Sequence, residues 1–137
     1  MPGQVRLRPR SKRCLGELKL PTVLVVEDDK WVRSTVVDTL SESGLKVVAA
    51  ANASRAVTLL GHLAPIHLVL TDLTLSGPTN GVELVRFAKR QHPHVKVVFL
   101  SADAANAAIR KLGDGFLFKP CDPGALVQTV ANVLAAA

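Results

Sequence analysis

The chain contains no tyrosine, one tryptophan and only four phenylalanines among its 137 residues. Its 48% hydrophobic fraction therefore rests on Val, Leu and Ala, a balance suited to strands and helices stacked in layers. Long apolar runs are also missing. Segments such as Val23 to Val26 and Val97 to Leu100 are far too short to cross a bilayer, and no apolar h-region follows the basic N-terminus. A membrane-embedded or exported chain is thus excluded at this level, and a cytoplasmic location is expected. Cysteine is scarce: Cys14 and Cys121 lie in different segments with no second Cys or paired His at metal-ligand spacing, so two reduced thiols are expected. No internal repeat is present. No glycine-rich phosphate loop follows the first apolar run, which argues against a nucleotide or flavin binder.

The net charge of +6 points to nucleic acid until it is divided along the chain. Residues 1–20 hold Arg6, Arg8, Arg10, Lys12, Arg13 and Lys19 against Glu17, a local charge of +5. The other 117 residues carry 11 basic and 10 acidic groups. The basic character belongs to a tail, and nucleic acid is not an expected partner of the domain. Arg alternating with Pro or Gly offers too little apolar surface to offset its ordering entropy. Residues 1–20 are expected to be a disordered extension, a start-site artefact or a linker remnant, with a basic arm touching an acidic partner as the alternative. Residues 21–137 have the length of one domain with a single core.

From Pro21 onward, apolar runs alternate with stretches of helical period through five cycles. The strand candidates are Thr22 to Glu27, Leu45 to Ala50, His67 to Asp72, Val95 to Ser101 and Gly115 to Lys119. They are rich in Val and Leu without in/out alternation, as parallel strands covered on both faces should be. Between the first two, Trp31, Val32, Thr35, Val36, Thr39 and Leu40 form a helical stripe that stops at Gly44. Asn52 or Ser54 can cap a second helix, in which Ala53, Ala56, Val57 and Leu60 repeat before Gly61 and Pro65. Val82, Leu84, Val85 and Ala88 mark a third, ended by Pro93; Ala104 to Leu112 is a short, Ala-rich fourth. Asp122 and Pro123 supply an N-cap and N1 pair for the last, through Leu126, Val127, Val130 and Leu134. The order is (βα)5, an α/β fold whose right-handed crossovers place helices on both faces of a doubly wound parallel sheet.

Polar residues fall where the apolar runs end. Glu27 and Asp28 close the first run, Asp72 the third, Ser101 the fourth and Lys119 the fifth. The carboxyl ends of strands in an open parallel sheet form the crevice where ligands bind. Crowded carboxylates repel, and a hard divalent cation bound through oxygen relieves them; Mg²⁺ fits this donor set, with Mn²⁺ as an alternative. An Asp beside such a cation, a Lys and a Ser is placed to attack a phosphoryl group. Alone, each residue has an ordinary explanation as turn former, backbone partner or solvated charge. Their joint placement at four strand ends makes Asp72 the candidate nucleophile.

The segments VLVVEDD, VLTDLTLSGPTNGVEL, VVFLSA and FLFKP, in this order and spacing, resemble the signature segments of response-regulator receiver domains. The resemblance covers nearly all of Thr22 to Leu134. It implies a flavodoxin/CheY-like sheet of order 2-1-3-4-5 and Mg²⁺-dependent phosphoryl transfer to Asp72. Asp28 matches the direct metal carboxylate, Glu27 its acidic neighbour acting through water, and Thr74 the residue whose backbone carbonyl binds the metal. Ser101 matches the hydroxyl that moves onto the phosphoryl group, and Phe116 takes the place of the aromatic switch residue. Lys119 matches the ammonium, followed by a peptide bond to Pro120 that is cis in the family. The implied donor is a sensor histidine kinase or His-phosphotransfer protein. The implied output is a changed surface for a downstream protein, made by the fourth helix, fifth strand and fifth helix.

Three departures stand out. Asp72 to Gly81 is nine residues, one more than in many stand-alone regulators, a length familiar in receivers attached to hybrid sensor kinases. Ser101 to Phe116 is fifteen residues, about one helical turn shorter than usual for the family, so a shortened fourth helix and a monomer or weak dimer are expected. Phe116 lacks the hydroxyl that many relatives carry as Tyr, which leaves switching to packing. Alternatives within the same class are a phosphate sink and a receiver fragment of a hybrid kinase. A small phosphatase with an aspartyl nucleophile typically needs a second acid two positions on, and Thr74 stands there. His92 and His94 flank Pro93 at chelating spacing, yet with no third ligand nearby a solvated turn is expected.

By the resemblance, Thr74 and Asp103 border the attacking water and tune the lifetime of the phosphate, although Asp103 could equally be a helix N-cap. Asp103→Ala is expected to change the dephosphorylation rate more than the extent of phosphorylation. Equal phosphate half-lives in variant and parent would count against the tuning role.

Overall fold

Every strand of the sheet runs parallel to its neighbours, in the order β2-β1-β3-β4-β5. The computed structural model describes residues 20–62, 65–75, 80–102 and 107–136. The strands are β1 (Thr22–Val26), β2 (Lys46–Ala50), β3 (Leu68–Asp72), β4 (Lys96–Ser101) and β5 (Gly115–Phe118). The helices are α1 (Lys30–Glu42), α2 (Ala53–His62), α3 (Gly81–Gln91), α4 (Ala107–Leu112) and α5 (Pro123–Ala135). Strand limits agree with the sequence reading to within one residue.

β1 and β3 are buried along their whole length, as central parallel strands should be. Alternate residues divide the core. Val23, Val25, Leu68, Leu70, Val98 and Leu100 face α1 (Val36, Leu40) and α5 (Leu126, Val130, Val133). Leu24, Val26 and Val69 face α2 (Ala53, Ala56, Leu60) and α3 (Leu84, Ala88). Val97 and Phe99 meet Val85 of α3, with Ile109 and Leu112 of α4 packed alongside. Two apolar layers thus clamp the sheet, and the strand ends project beyond both.

Capping follows chemistry that sequence reading finds in part. Asn52 Oδ1 accepts from the Arg55 amide at 2.8 Å, which settles the α2 cap in favour of Asn52 over Ser54. Asn80 and Glu83 form a reciprocal capping box at the start of α3. Asp122 accepts from the Ala125 amide, with Pro123 following it at the helix start. Gly44, at φ 99°, lies just past α1, where the Gly44 and Leu45 amides donate to Ser41 and Leu40. A left-handed residue is needed there, and Gly supplies it without a Cβ clash.

Two expectations change. α2 continues through Gly61 to His62, since a Cβ-less residue on its open side weakens the last turn without ending it. Trp31 does not belong to the core stripe: it is 77% exposed, whereas Val32 beside it packs against the core. The buried line of α1 is Val36 and Leu40, with Val32 half-buried. Among the described residues α4 covers Ala107–Leu112, and the residues before it, on which the expected shortening depends, lie outside them. The expected helix start at Ala104, the residues 1–19 of the basic tail, Cys14 and Asp103 lie outside the described residues.

The first residue of α3 is wedged against the end of β3. The Gly81 amide donates to the Leu73 carbonyl at 2.9 Å, and a Cβ at Gly81 would overlap the carbonyl oxygens of Asp72 and Leu73. Backbone cannot retreat as a flexible side chain can, so Gly81→Ala is expected to destabilise the fold by about 1–3 kcal/mol. Urea unfolding checks this, and a midpoint equal to the parent's would show that the α3 start has room to shift.

Candidate functional site

Four strands bring the polar strand ends together. Glu27 stands one residue past β1, and its amide donates to the Ala50 carbonyl at 3.1 Å. Asp72 is the last residue of β3, in register with Leu100 of β4. Lys119 follows β5 directly, and its amide donates to the Ser101 carbonyl at the end of β4 at 2.8 Å. The peptide bond from Lys119 to Pro120 is cis.

The ammonium of Lys119 lies between two carboxylates, 2.7 Å from Asp72 Oδ1 and 2.8 Å from Glu27 Oε1. Glu27 is 1% exposed and Asp72 3% exposed. One oxygen of Asp72, Oδ2, is buried without any hydrogen-bond partner; Oδ1 and Glu27 Oε1 have only the ammonium. Buried carboxylate oxygens left this way are costly. Carboxylate oxygens of Glu27, Asp28 and Asp72 lie within 4.8 Å of one another, so one cation could reach all three. Oxygen donors alone, several of them anionic, suit a hard divalent ion.

Burial pushes the Asp72 carboxyl up to about 7, helped by the neighbouring Glu27 carboxylate and its negative charge, against the lowering pull of Lys119. Burial also works against the Lys119 charge, but its contacts with Asp72 and Glu27 outweigh that and raise its pKa. One ammonium is therefore too little to keep the Asp72 carboxylate comfortably ionised. A bound cation would supply the missing positive charge.

The acidic run at residues 27–29 divides its labour. Glu27 and Asp28 face the site, whereas Asp29 is the N-cap of α1, accepting from the amides of Trp31 and Val32 at 2.9 and 3.0 Å. An Asp directly before an apolar helical stripe is a readable cap signal, one that a search for strand-end polar residues passes over. Ser101 is half-buried at the mouth, while Thr74 lies exposed two residues past β3. Phe116 is half-buried, in register with Phe99, under the Arg110 guanidinium at 4.8 Å and beside the Phe118 ring at 5.1 Å. It stands away from the carboxylates, on the α4 side of β5. His92 Nε2 is tied to the Leu60 carbonyl at 2.9 Å and His94 is exposed, in keeping with a turn.

Beside Lys119, an apolar groove of about 520 Å³ runs between α1 and the β5–α5 connection, walled by Trp31, Val32, Leu100, Pro120, Cys121 and Leu126. Burial raises the Cys121 thiol's pKa, which keeps it protonated. No described helix is long and apolar enough to cross a membrane.

Residues 23–131 match the family model of the response regulator receiver domain. The chain belongs to the response regulator receiver family. Among related proteins, response regulator protein FleR of Pseudomonas aeruginosa is 34% identical over 114 residues, 80% of this chain but 24% of FleR. Sensor kinase CckA of Brucella abortus is 34% identical over 121 residues, 82% of this chain and 12% of CckA. The receiver thus spans about a quarter or less of the length of these relatives. A response regulator receiver protein from Sinorhizobium medicae superposes with a TM-score of 0.77 at 26% identity, covering 86% of this chain and 97% of that one. The chemotaxis response regulator CheY4 of Vibrio cholerae, at 23% identity and TM-score 0.76, shares the fold. Receivers are signalling domains of two-component systems rather than conventional enzymes, and the 2-1-3-4-5 sheet is theirs.

The raised Asp72 pKa links pH to stability. Between about pH 4 and 7 the folded receiver holds a proton that the unfolded chain has released, so its stability falls as pH rises through that window. Asp72→Asn has no proton to lose. In metal-free buffer it is expected to gain on the parent by at least about 1 kcal/mol between pH 5 and pH 8, one pKa unit's worth. Urea unfolding at the two pH values gives the difference, and parallel stabilities would refute it.

Proposed function

We propose that this receiver accepts phosphate on Asp72 from a phospho-His donor and uses the change to alter a protein-binding surface. The observation that carries the reading is the Lys119 ammonium 2.7 Å from a buried Asp72 whose second oxygen has no partner. Residues 21–137 would form the switching unit, with residues 1–20 as an appended tail. Asp28 and Asp72, with the Thr74 carbonyl and Glu27 through water, would hold Mg²⁺, or Mn²⁺ in its place. When bound, such an ion supplies positive charge to the oxygens of the transferring phosphoryl group.

The chain's own residues would do the rest. An ionised Asp72 oxygen attacks phosphorus, forming a P–O bond as the P–N bond to the donor imidazole breaks. The electron pair of that bond leaves with the imidazole nitrogen, which is reprotonated from solvent. Lys119 is positioned to follow the charge from the carboxylate onto the phosphoryl oxygens. The Ser101 hydroxyl would donate to one of those oxygens, and Phe116 would turn into the space left behind. Thr74 and Asp103 would border the water that later hydrolyses the acyl phosphate.

The donor would be a sensor histidine kinase or a His-phosphotransfer protein, and the similarity to part of a sensor kinase keeps a receiver of the hybrid type in view. A phosphate sink is the second reading within this class. Incubation with acetyl phosphate and Mg²⁺, followed by intact mass, is expected to give a phosphate-sized gain that disappears in Asp72→Asn and falls strongly in Lys119→Ala. No gain with acetyl phosphate or a phospho-His donor would overturn the reading.

A further inference from the structure

The β1–α1 connection must aim two carboxylates at a third, and burial holds only one of the pair. Glu27 is buried and held at several points: its amide donates to the Ala50 carbonyl, Oε2 accepts from the Asp29 amide at 2.9 Å, and Oε1 meets Lys119. Asp28 is exposed, so its direction owes more to the backbone that carries it than to packing. That backbone has a guanidinium against it. Arg33, half-buried on the first turn of α1, donates from Nη1 to the Glu27 carbonyl oxygen at 2.8 Å. Its own amide donates to the Asp29 carbonyl at 2.9 Å, so the side chain reaches back over the connection from a fixed base.

The Glu27–Asp28 peptide is planar, so fixing its carbonyl also fixes the Asp28 amide and the place of the Asp28 Cα, the point from which that side chain departs. We propose that Arg33 is the positioning residue of the acidic pocket, its guanidinium locking this peptide so that both carboxylates face one cation. The inference rests on the reading that the pocket holds a divalent cation. Arg33 does not ligate; it acts through the carbonyl. Arginine suits this role because the guanidinium is permanently charged, planar and long in reach, and a charged donor on a carbonyl gives a stronger bond than a neutral one. Lysine keeps the charge but loses the fork, so it should restore part of the effect.

Mn²⁺ binding to the full chain, followed by the electron paramagnetic resonance signal of the free ion, tests this without any phosphoryl transfer. Arg33→Met, which keeps an apolar stem, is expected to weaken Mn²⁺ binding about tenfold while melting in chelator stays near the parent's. Arg33→Lys is expected to fall between parent and Met variant. Arg86→Met, at an exposed position on α3, is expected to match the parent. Parent-like Mn²⁺ affinity in Arg33→Met would overturn the inference. So would equal losses of affinity and of metal-free melting in the Met and Lys variants, which mark a structural residue. Absence of Mn²⁺ binding in the parent itself would instead overturn the cation reading on which the inference stands.

Discussion

A single ammonium between two buried carboxylates organises this molecule. Lys119 reaches Asp72 and Glu27 from the end of an edge strand, and those two residues stand at the ends of the central strand β3 and its neighbour β1. Without that charge, the ends of β1 and β3 would bury two carboxyl groups with no ammonium beside them. With it, one of them remains hard to ionise, as the raised Asp72 pKa indicates. The pocket is left short of positive charge, which is the condition under which it would bind a cation.

The scaffold makes this imbalance sustainable. Two apolar layers grip the sheet from opposite faces, and β1 and β3 are buried throughout. Strain at the polar edge is therefore borne by a rigid platform rather than by loops alone. The connection after β1 is the exception, since it carries Asp28 in solvent. There the work passes to hydrogen bonds: Asp29 caps α1, and Arg33 reaches back to the Glu27 carbonyl. The α4 side is thinner. The described turns of α4, a half-buried Phe116 and an exposed Phe118 share that edge, held partly by the Arg110 guanidinium over the Phe116 ring.

The strands are legible because a parallel strand covered on both faces has to be written in Val and Leu, and the polar residue that ends it interrupts the run. Glu27, Asp72, Ser101 and Lys119 announce themselves in this way, and the structure places them at adjacent strand ends. Trp31 misleads because helical spacing says which residues share a face, not how deeply each of them is covered. Asp29 is hidden by its acidic neighbours, although its place before the stripe is a cap signal. Arg33 leaves no trace, since a side chain that bonds a backbone carbonyl has no sequence partner to betray it. The choice between Asn52 and Ser54 likewise needs coordinates, because both residue types cap equally well.

The amide of Lys119 donates to the carbonyl of Ser101, so the cationic arm and the hydroxyl beside it hang from one shared hydrogen bond. Neither can be shifted along its strand without dragging the other. Such a pair behaves as a jaw rather than as two independent fingers. On the proposed reading, a change that moves one of these two contacts with the phosphoryl group would move the other as well, which narrows the ways in which natural variation could adjust how firmly that group is held.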